Sequence, residues 1–96
     1  MDASERQAVE ERLQLMEWLV AAMEQRHEVM DLLWEAADSE QAAERLRDLL
    51  KVDGGDPRVV LDLQLWRLTK EGRDKLAETV REMRELLGQH GPSTNE

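Results

Sequence analysis

The sequence contains no cysteine, no tyrosine and no phenylalanine, and only 2 prolines among its 96 residues. Without cysteine the chain has no disulfide and no thiolate ligand for a metal, which is compatible with an intracellular home. No apolar run reaches the roughly 18 residues that a membrane-spanning helix needs. Basic residues are scarce too, because 13 Lys and Arg stand against 22 Asp and Glu and the net charge is −9. This balance disfavours nucleic acids and anionic membranes as partners, since phosphate groups are bound by basic surfaces.

What the sequence does contain is helix-forming residues in helical periodicity. Leu, Ala, Glu and Arg dominate, and 36 % of the residues are charged. A chain of 96 residues is one domain at most. We predict an all-α fold in which a long antiparallel two-helix coiled-coil arm carries a small three-helix globular tip. The expected boundaries are a single helical domain over 1–88, with the arm at 4–26 and 70–87, the tip at 27–69, and a flexible tail at 89–96.

Two apolar seams define the expected arm. Their residues recur in alternating steps of four and three, which is the spacing of a coiled coil. The first seam continues to Met30 with His27 in the one missing position, and two forms stay open: one long helix, or a bend near 25–27 followed by a short second helix. Residues 1–36 hold nine acids and three basic residues whereas 70–87 hold five of each, so an antiparallel pair places the more basic helix beside the acidic one. The seam residues are Leu13, Met16, Val20 and Met23 on the first helix and Leu76, Val80, Met83 and Leu87 on the last.

Local signals set the expected ends of the helices. A capping box of Ser4 with Gln7 would begin the first helix, and Gly88 would end the last one. The loop KVDGGDP at 51–57 breaks the periodicity with two Gly and a Pro. The other expected N-caps are Asp38 or Ser39 for a middle helix, Asp56 followed by Pro57 for a helix that includes 59–68, and Thr69 for the last helix.

The stretch VVLDLQLWRLT at 59–69 is unusual in so acidic a chain. Read as a helix, it has apolar residues on nearly every side, whereas a surface helix has one apolar stripe and a polar back. Such a helix must be covered on both sides, and so short a chain has only a small core with which to cover it. Two interpretations stay open at this point: a central helix of a monomeric bundle, or a helix whose second face contacts another chain.

Two segments of the chain resemble the A subunit of DNA gyrase and topoisomerase IV. VVLDLQLWRLT followed by KEGRDKLAETVREMRELL is similar to that family's ILDLRLQKLT followed by a long charged helix. ERLQLMEWLVAAMEQRHEVMDLL resembles the family's RxHILEGLxxALxNIDEVIxLI and comes in the same order along the chain. The resemblance covers residues 11–88. The matching positions are Arg12, Leu15, Glu17, Leu19, Ala22, Glu28, Val29, Leu32, Val60, Leu61, Asp62, Leu63, Leu65, Leu68 and Thr69.

In that family this region is the exit gate, where a coiled-coil arm ends in a tip that meets its copy across a two-fold axis. The resemblance implies a stand-alone, non-catalytic homodimerisation module with an isologous interface. The chain departs from the family in lacking any tyrosine, so the DNA-cleaving nucleophile is missing, and in placing Gly72 two positions later than the Gly of the family's TGLE. The expected interface residues are Val59, Val60, Leu63 and Trp66, and the expected tip core is Leu46, Leu49, Leu61, Leu65 and Leu68.

Two further functions are weighed against this one. The same surface would allow a regulator or inhibitor that replaces one gate of a gyrase or topoisomerase A subunit. A small helical enzyme of the chorismate mutase type would need several cations around a dianionic substrate, and the candidates Arg12, Arg26, Arg45, Lys51 and Arg58 follow no recognised pattern. No catalytic set, phosphate loop or metal-ligand spacing is visible. We therefore expect a cytoplasmic protein that is not an enzyme, has no cofactor, metal, small-molecule substrate or membrane contact, does not bind nucleic acid, and pairs with itself.

Overall fold

The structure is a computed structural model that describes residues 1–89, and within that range it is all-helical, with no strand. No helix in the described part is both long and apolar enough to cross a membrane. The predicted tail begins at Gln89, which the structure instead includes in the last helix, and residues 90–96 lie outside the described residues. The helices are α1 (Ala3–Glu24), α2 (Arg26–Glu35), α3 (Ser39–Leu50), α4 (Arg58–Leu61), a single 3₁₀ turn (Leu65–Leu68) and α5 (Lys70–Gln89).

The two longest helices, α1 and α5, pack against each other in antiparallel orientation. At one end of the pair, Arg6 Nη1 donates to the carbonyl of Leu87 at 3.3 Å, and further along Arg84 Nη2 donates to Glu17 Oε2, also at 3.3 Å. Their shared apolar seam is centred on the buried residues Leu19, Leu76 and Val80. The predicted seam residues Leu13, Met16, Val20 and Met23 pack around that centre, and Met83 and Leu87 are half-buried.

A second apolar cluster, the main core, joins the opposite side of α1 to α2, α3 and α4. Trp18 and Leu46 are fully enclosed at its centre, and the other buried members are Ala22, Val29, Leu50 and Val60. The indole N–H of Trp18 donates to the carbonyl of Gly54 at 2.9 Å, and the side-chain amide of Gln14 donates to the carbonyl of Asp53. The elements between α1 and α5 therefore fold back along the middle of α1, instead of standing beyond the end of the helix pair.

The glycine at position 55 makes the close contact between the loop and Trp18 possible. Gly55 has φ +76°, a left-handed backbone conformation that residues other than glycine rarely adopt. A Cβ at this position would lie 2.6 Å from Trp18 Nε1 and 2.8 Å from Gln14 Cγ. The loop at 51–57, expected only to break the helical periodicity, is thus also part of the packing against α1.

Aspartate side chains cap the starts of α1 and α3, with one correction to the sequence prediction. Asp2, and not Ser4, caps α1: its carboxylate accepts from the backbone N–H of Glu5, whose own carboxylate accepts from the N–H of Asp2. The structure has the bend that the sequence left open, since α1 ends at Glu24, Gln25 has φ −117° and ψ 37°, and α2 starts at Arg26. Asp38 caps α3 by accepting from the N–H of Gln41 at 2.8 Å.

The later helix ends differ more from the prediction. Helix α4 starts at Arg58 after Pro57, one residue beyond the expected start, while Asp56 Oδ1 accepts from the N–H of Arg58 at 3.0 Å. Thr69 acts at the start of α5 as predicted, because its Oγ1 accepts from the N–H of Gly72 at 3.1 Å. Gly88 does not end the last helix, which continues to Gln89.

The expected helix over 59–68 is wrong as a continuous element. It divides into the four-residue α4, an extended step at Gln64 (φ −77°, ψ 135°), and the 3₁₀ turn Leu65–Leu68. A helix of this length is marginal in water, so tertiary packing decides its form. Here the first part packs its apolar side chains into the main core, and the second part packs against α5. The division thus buries Val60 and half-buries Leu68, while Leu65 and Trp66 stay exposed.

Candidate interaction surface

The residues predicted for a dimer interface divide between core and surface. Val60 is only 5 % exposed and belongs to the main core, so its assignment to an outward face is wrong. Val59 is half-buried between the main core and the α1–α5 seam, and Leu63 is half-buried against that seam. Trp66 remains 45 % exposed. Of the four, Trp66 alone presents a large apolar side chain to the outside of the chain.

The residues predicted for the core of the tip also divide. Leu46 is fully buried, Leu49 and Leu61 are partly buried against the main core, and Leu68 is half-buried. Leu65 is 76 % exposed, so its assignment to the inner core is wrong. In a continuous helix Leu65 would lie on the same face as Leu61, four residues earlier. The extended step at Gln64 ends that relationship and turns Leu65 outward.

Leu65 and Trp66 therefore form an exposed apolar pair on the 3₁₀ turn, called here the Leu65–Trp66 pair. The indole N–H of Trp66 donates to Gln64 Oε1 at 2.8 Å. The guanidinium carbon of Arg67 lies 5.0 Å from the centroid of the ring, and Lys75 Nζ lies 6.0 Å from it, which are cation–π distances. The ring is thus oriented by its neighbours, while nearly half of its surface stays open to a partner.

The backbone of the 3₁₀ turn is fixed closely against α5. A Cβ on Gly72 would lie 2.5 Å from the Cα of Arg67 and 2.6 Å from its carbonyl oxygen, so only glycine allows this approach. The hydroxyl of Thr69 donates to the carbonyl of Trp66 at 2.7 Å and closes the turn. The late glycine in Thr69-Lys70-Glu71-Gly72, a departure from the family's TGLE, therefore has a local structural reason.

A second exposed apolar pair, Met30 and Trp34, lies on α2. Met30 is 62 % exposed and Trp34 is 87 % exposed, and their spacing of four places them on one face of the helix. The heptad pattern assigned Met30 to the seam, and this was wrong because α2 begins a new helix after Gln25. The apolar spacing does not predict this exposed pair; the one signal for it in the sequence is a tryptophan four residues after a methionine, beyond the break at Gln25.

The charged side chains of the chain lie on its surface, since no polar or charged residue of the described range is buried. The hydrogen bond from Lys70 Nζ to Asp74 Oδ2, at 2.8 Å, lowers the pKa of the Asp74 carboxyl below its ordinary value, and the positive charge of Lys70 adds to this effect. Residues 1–89 contain no group of three or more side chains placed to hold a metal. Of the cations considered for a mutase, Arg26, Arg45 and Arg58 line three different cavities.

Comparison of the chain with protein-family models, with curated proteins and with solved structures gave no match. The resemblance to the topoisomerase exit gate accordingly depends on the matching positions in the two segments quoted above.

Proposed function

We propose that this chain is a non-catalytic homodimerisation module whose contact surface is centred on the Leu65–Trp66 pair. The observation that supports it most directly is the exposure of these two large apolar side chains within the segment that resembles the exit gate of type IIA topoisomerases. In this proposal α1 and α5 correspond to the gate's two-helix arm, and the elements between them correspond to its tip, which here packs along α1 and not beyond the end of the pair. A cytoplasmic location belongs to the same proposal and is supported by the absence of cysteine.

The energetics of such a contact favour a dimer only if neighbouring residues take part. Fully burying a leucine or a comparable apolar side chain contributes roughly 1.5–3 kcal/mol, and a two-fold interface buries each side chain twice. The Leu65–Trp66 pair would thus contribute on the order of 6–12 kcal/mol, before subtracting the part of each side chain that is already buried. Association itself costs roughly 4–15 kcal/mol. Half-buried Leu63 and Val59 are therefore expected to add contact area around the pair.

The first test is the molar mass of the chain in solution. Light scattering coupled to size exclusion, over a dilution series, should give a mass twice the 11.1 kDa of the chain. Trp66→Glu would place a charge in the interface twice per dimer and should yield a helical monomer. A compact monomer for the unsubstituted chain at micromolar concentrations contradicts the proposal.

Trp34→Glu is the matched control, because it makes the same chemical change at a tryptophan that is even more exposed. It should leave the dimer intact. If Trp34→Glu dissociates the dimer and Trp66→Glu does not, the interface lies on α2, and the gate-like surface is wrong. If Trp66→Glu unfolds the chain, as shown by lost ellipticity at 222 nm, the residue is needed for the fold and the proposed surface is also wrong.

A second candidate function uses the same exposed pair on a different partner. A regulator of this kind would replace one gate of a gyrase or topoisomerase A subunit, giving a mixed dimer with one active half. The Leu65–Trp66 pair supports it equally, because a gate-like surface that meets its own copy also fits a similar gate. Mixing the chain with the A subunit of the same cell and recording native mass spectra distinguishes the two functions. A mixed species that Trp66→Glu abolishes supports the regulator, whereas no mixed species under conditions of A-subunit exchange excludes it.

A further inference from the structure

A cavity of about 330 Å³ opens between α1, the start of α2, the 3₁₀ turn and α5. Because its lining comes from two segments distant in sequence, 20–26 and 68–77, the tertiary fold forms the cavity. Cavities of this size with a mainly apolar lining and a few polar groups are the usual form of small-molecule sites. The apolar lining is Val20, Met23, Leu68, Leu76 and Ala77, and the polar lining is Glu24, Arg26 and Arg73.

The two arginines of this cavity are held by backbone carbonyls. Arg26 Nη1 donates to the carbonyl of Met23 at 3.4 Å, and Arg73 Nε donates to the carbonyl of Thr69 at 3.3 Å. Among residues 1–89, neither guanidinium lies within 4.0 Å of a carboxylate, although the chain carries 22 acidic residues. Each keeps further N–H donors for another acceptor, since a guanidinium has five. The cavity thus combines two positive charges with the single carboxylate of Glu24.

We propose that this cavity binds a small amphipathic carboxylate. The carboxylate would accept hydrogen bonds from Arg26 and Arg73, and the hydrocarbon part would lie on Met23, Leu76 and Ala77. A neutral apolar ligand would leave the free N–H donors of both guanidiniums to water, and inorganic phosphate would make no use of the apolar lining. The volume of about 330 Å³ equals that of roughly eleven water molecules at about 30 Å³ each, which is enough room for a small carboxylate such as octanoate. This site goes beyond the proposed dimer and does not depend on it.

The test uses octanoate with n-octanol as the matched neutral probe. The full chain is labelled with ¹³C at its methionine methyl groups, and the methyl signals are followed during titration. Octanoate should shift the Met23 signal saturably, because Met23 lines the cavity, and should leave exposed Met30 unchanged. Octanol should bind at least tenfold more weakly, since one hydrogen bond to a charged group is worth about a factor of ten. Equal binding of the two probes, or no saturable shift of Met23, would overturn the proposal.

Substitutions separate the charged and apolar parts of the site. Arg26→Gln and Arg73→Gln should each weaken octanoate binding about tenfold. The control Arg58→Gln removes a charge from a different cavity and should leave binding unchanged. Ala77→Leu fills the cavity while keeping both arginines, and it should abolish the Met23 shift, with circular dichroism at 222 nm verifying that the helices remain. Undiminished binding by the Arg26→Gln/Arg73→Gln double variant, or by Ala77→Leu, would place the ligand elsewhere and refute the site.

Discussion

The two glycines of α5 allow a sharp test of the structure, because the same substitution should have opposite effects at the two positions. Gly72 is buried, and an added Cβ would lie 2.5 Å from the Cα of Arg67 and 2.7 Å from its carbonyl carbon. An added Cβ on Gly88 would have no neighbouring atom within 4 Å. We therefore expect Gly72→Ala to destabilise the chain and Gly88→Ala to stabilise it slightly.

The magnitude follows from two opposing contributions. Alanine is favoured over glycine inside a helix by about 1 kcal/mol. At Gly72 the obstacle is backbone, so relief requires the 3₁₀ turn to move away from α5, and overpacking of this kind costs about 1–3 kcal/mol or somewhat more. The net loss for Gly72→Ala is then about 2 kcal/mol. Gly88 lies next to Gln89, the last residue of α5, where fraying reduces the stabilisation that alanine brings. We therefore expect Gly88→Ala to raise the free energy of unfolding by about 0.5 kcal/mol.

Thermal unfolding followed by circular dichroism at 222 nm measures both effects. For a domain of this size, 1 kcal/mol shifts the Tm by about 4–8 °C, so Gly72→Ala should lower the Tm by about 10 °C and Gly88→Ala should raise it by a few degrees. Gly72→Ala should also weaken the proposed dimer, because it displaces the turn that carries the Leu65–Trp66 pair. If Gly72→Ala is neutral or stabilising, the close approach of the 3₁₀ turn to α5 does not exist in solution.

Three further predictions concern stability and charge. Trp18→Ala empties the centre of the main core and should lower the free energy of unfolding by about 3–5 kcal/mol, as measured by urea unfolding followed by circular dichroism. Trp34→Ala should change the free energy of unfolding of the monomer by less than about 0.5 kcal/mol. Similar losses in the two variants would contradict the burial of Trp18. Leu65→Asp should leave the helical fold intact and prevent dimerisation, whereas Leu46→Asp should unfold the chain. Loss of the helical fold in Leu65→Asp would mean that Leu65 belongs to the core. Lys70→Gln should raise the pKa of Asp74 toward its ordinary value of 3.8, as measured by NMR titration. Because the folded-state pKa of Asp74 is lowered, any stabilisation by this pair is present above pH 3.8 and is lost as the pH falls through the lowered pKa. An unchanged titration of Asp74 in Lys70→Gln would refute the pairing.

The helices could be predicted from the sequence because their signals are local. The α1–α5 seam follows from apolar spacing and the cap at Asp38 from residue type, whereas the sequence did not decide between a continuous helix and the break at Gln25. The Val59–Leu68 stretch was mispredicted because its apolar residues are compatible with several conformations. Which one forms depends on contacts with α5 and the main core, such as the space left by Gly72. Periodicity records where apolar residues recur, and it does not record which of them a distant element will cover.

The same limit applies to the candidate surface. Residue type alone does not distinguish the three tryptophans, yet Trp18 is fully buried whereas Trp34 and Trp66 are exposed. The depth of Trp18 depends on Gly54 and Gly55, some 36 residues away, which bring a carbonyl to its indole N–H. Because Trp18 fills the main core together with Val60, the interior needs neither Leu65 nor Trp66. Because one tryptophan already fills this small core, the side chains of Leu65 and Trp66 stay on the surface, where a partner can contact them.

The net charge of −9 decides how such a partner must bind. Two identical acidic chains repel each other, and apolar contact has to overcome that repulsion. Salt screens exposed charges, with a Debye length of about 10 Å at 0.1 M and about 30 Å at 0.01 M, while it leaves apolar burial largely intact. If the dimer forms through the Leu65–Trp66 pair, its dissociation constant should fall as sodium chloride rises from about 0.01 to 0.3 M, as measured by sedimentation equilibrium. A dissociation constant that rises with salt would mean that the acids of α1 meet the arginines of a second chain, and the apolar pair would then not be the centre of the interface.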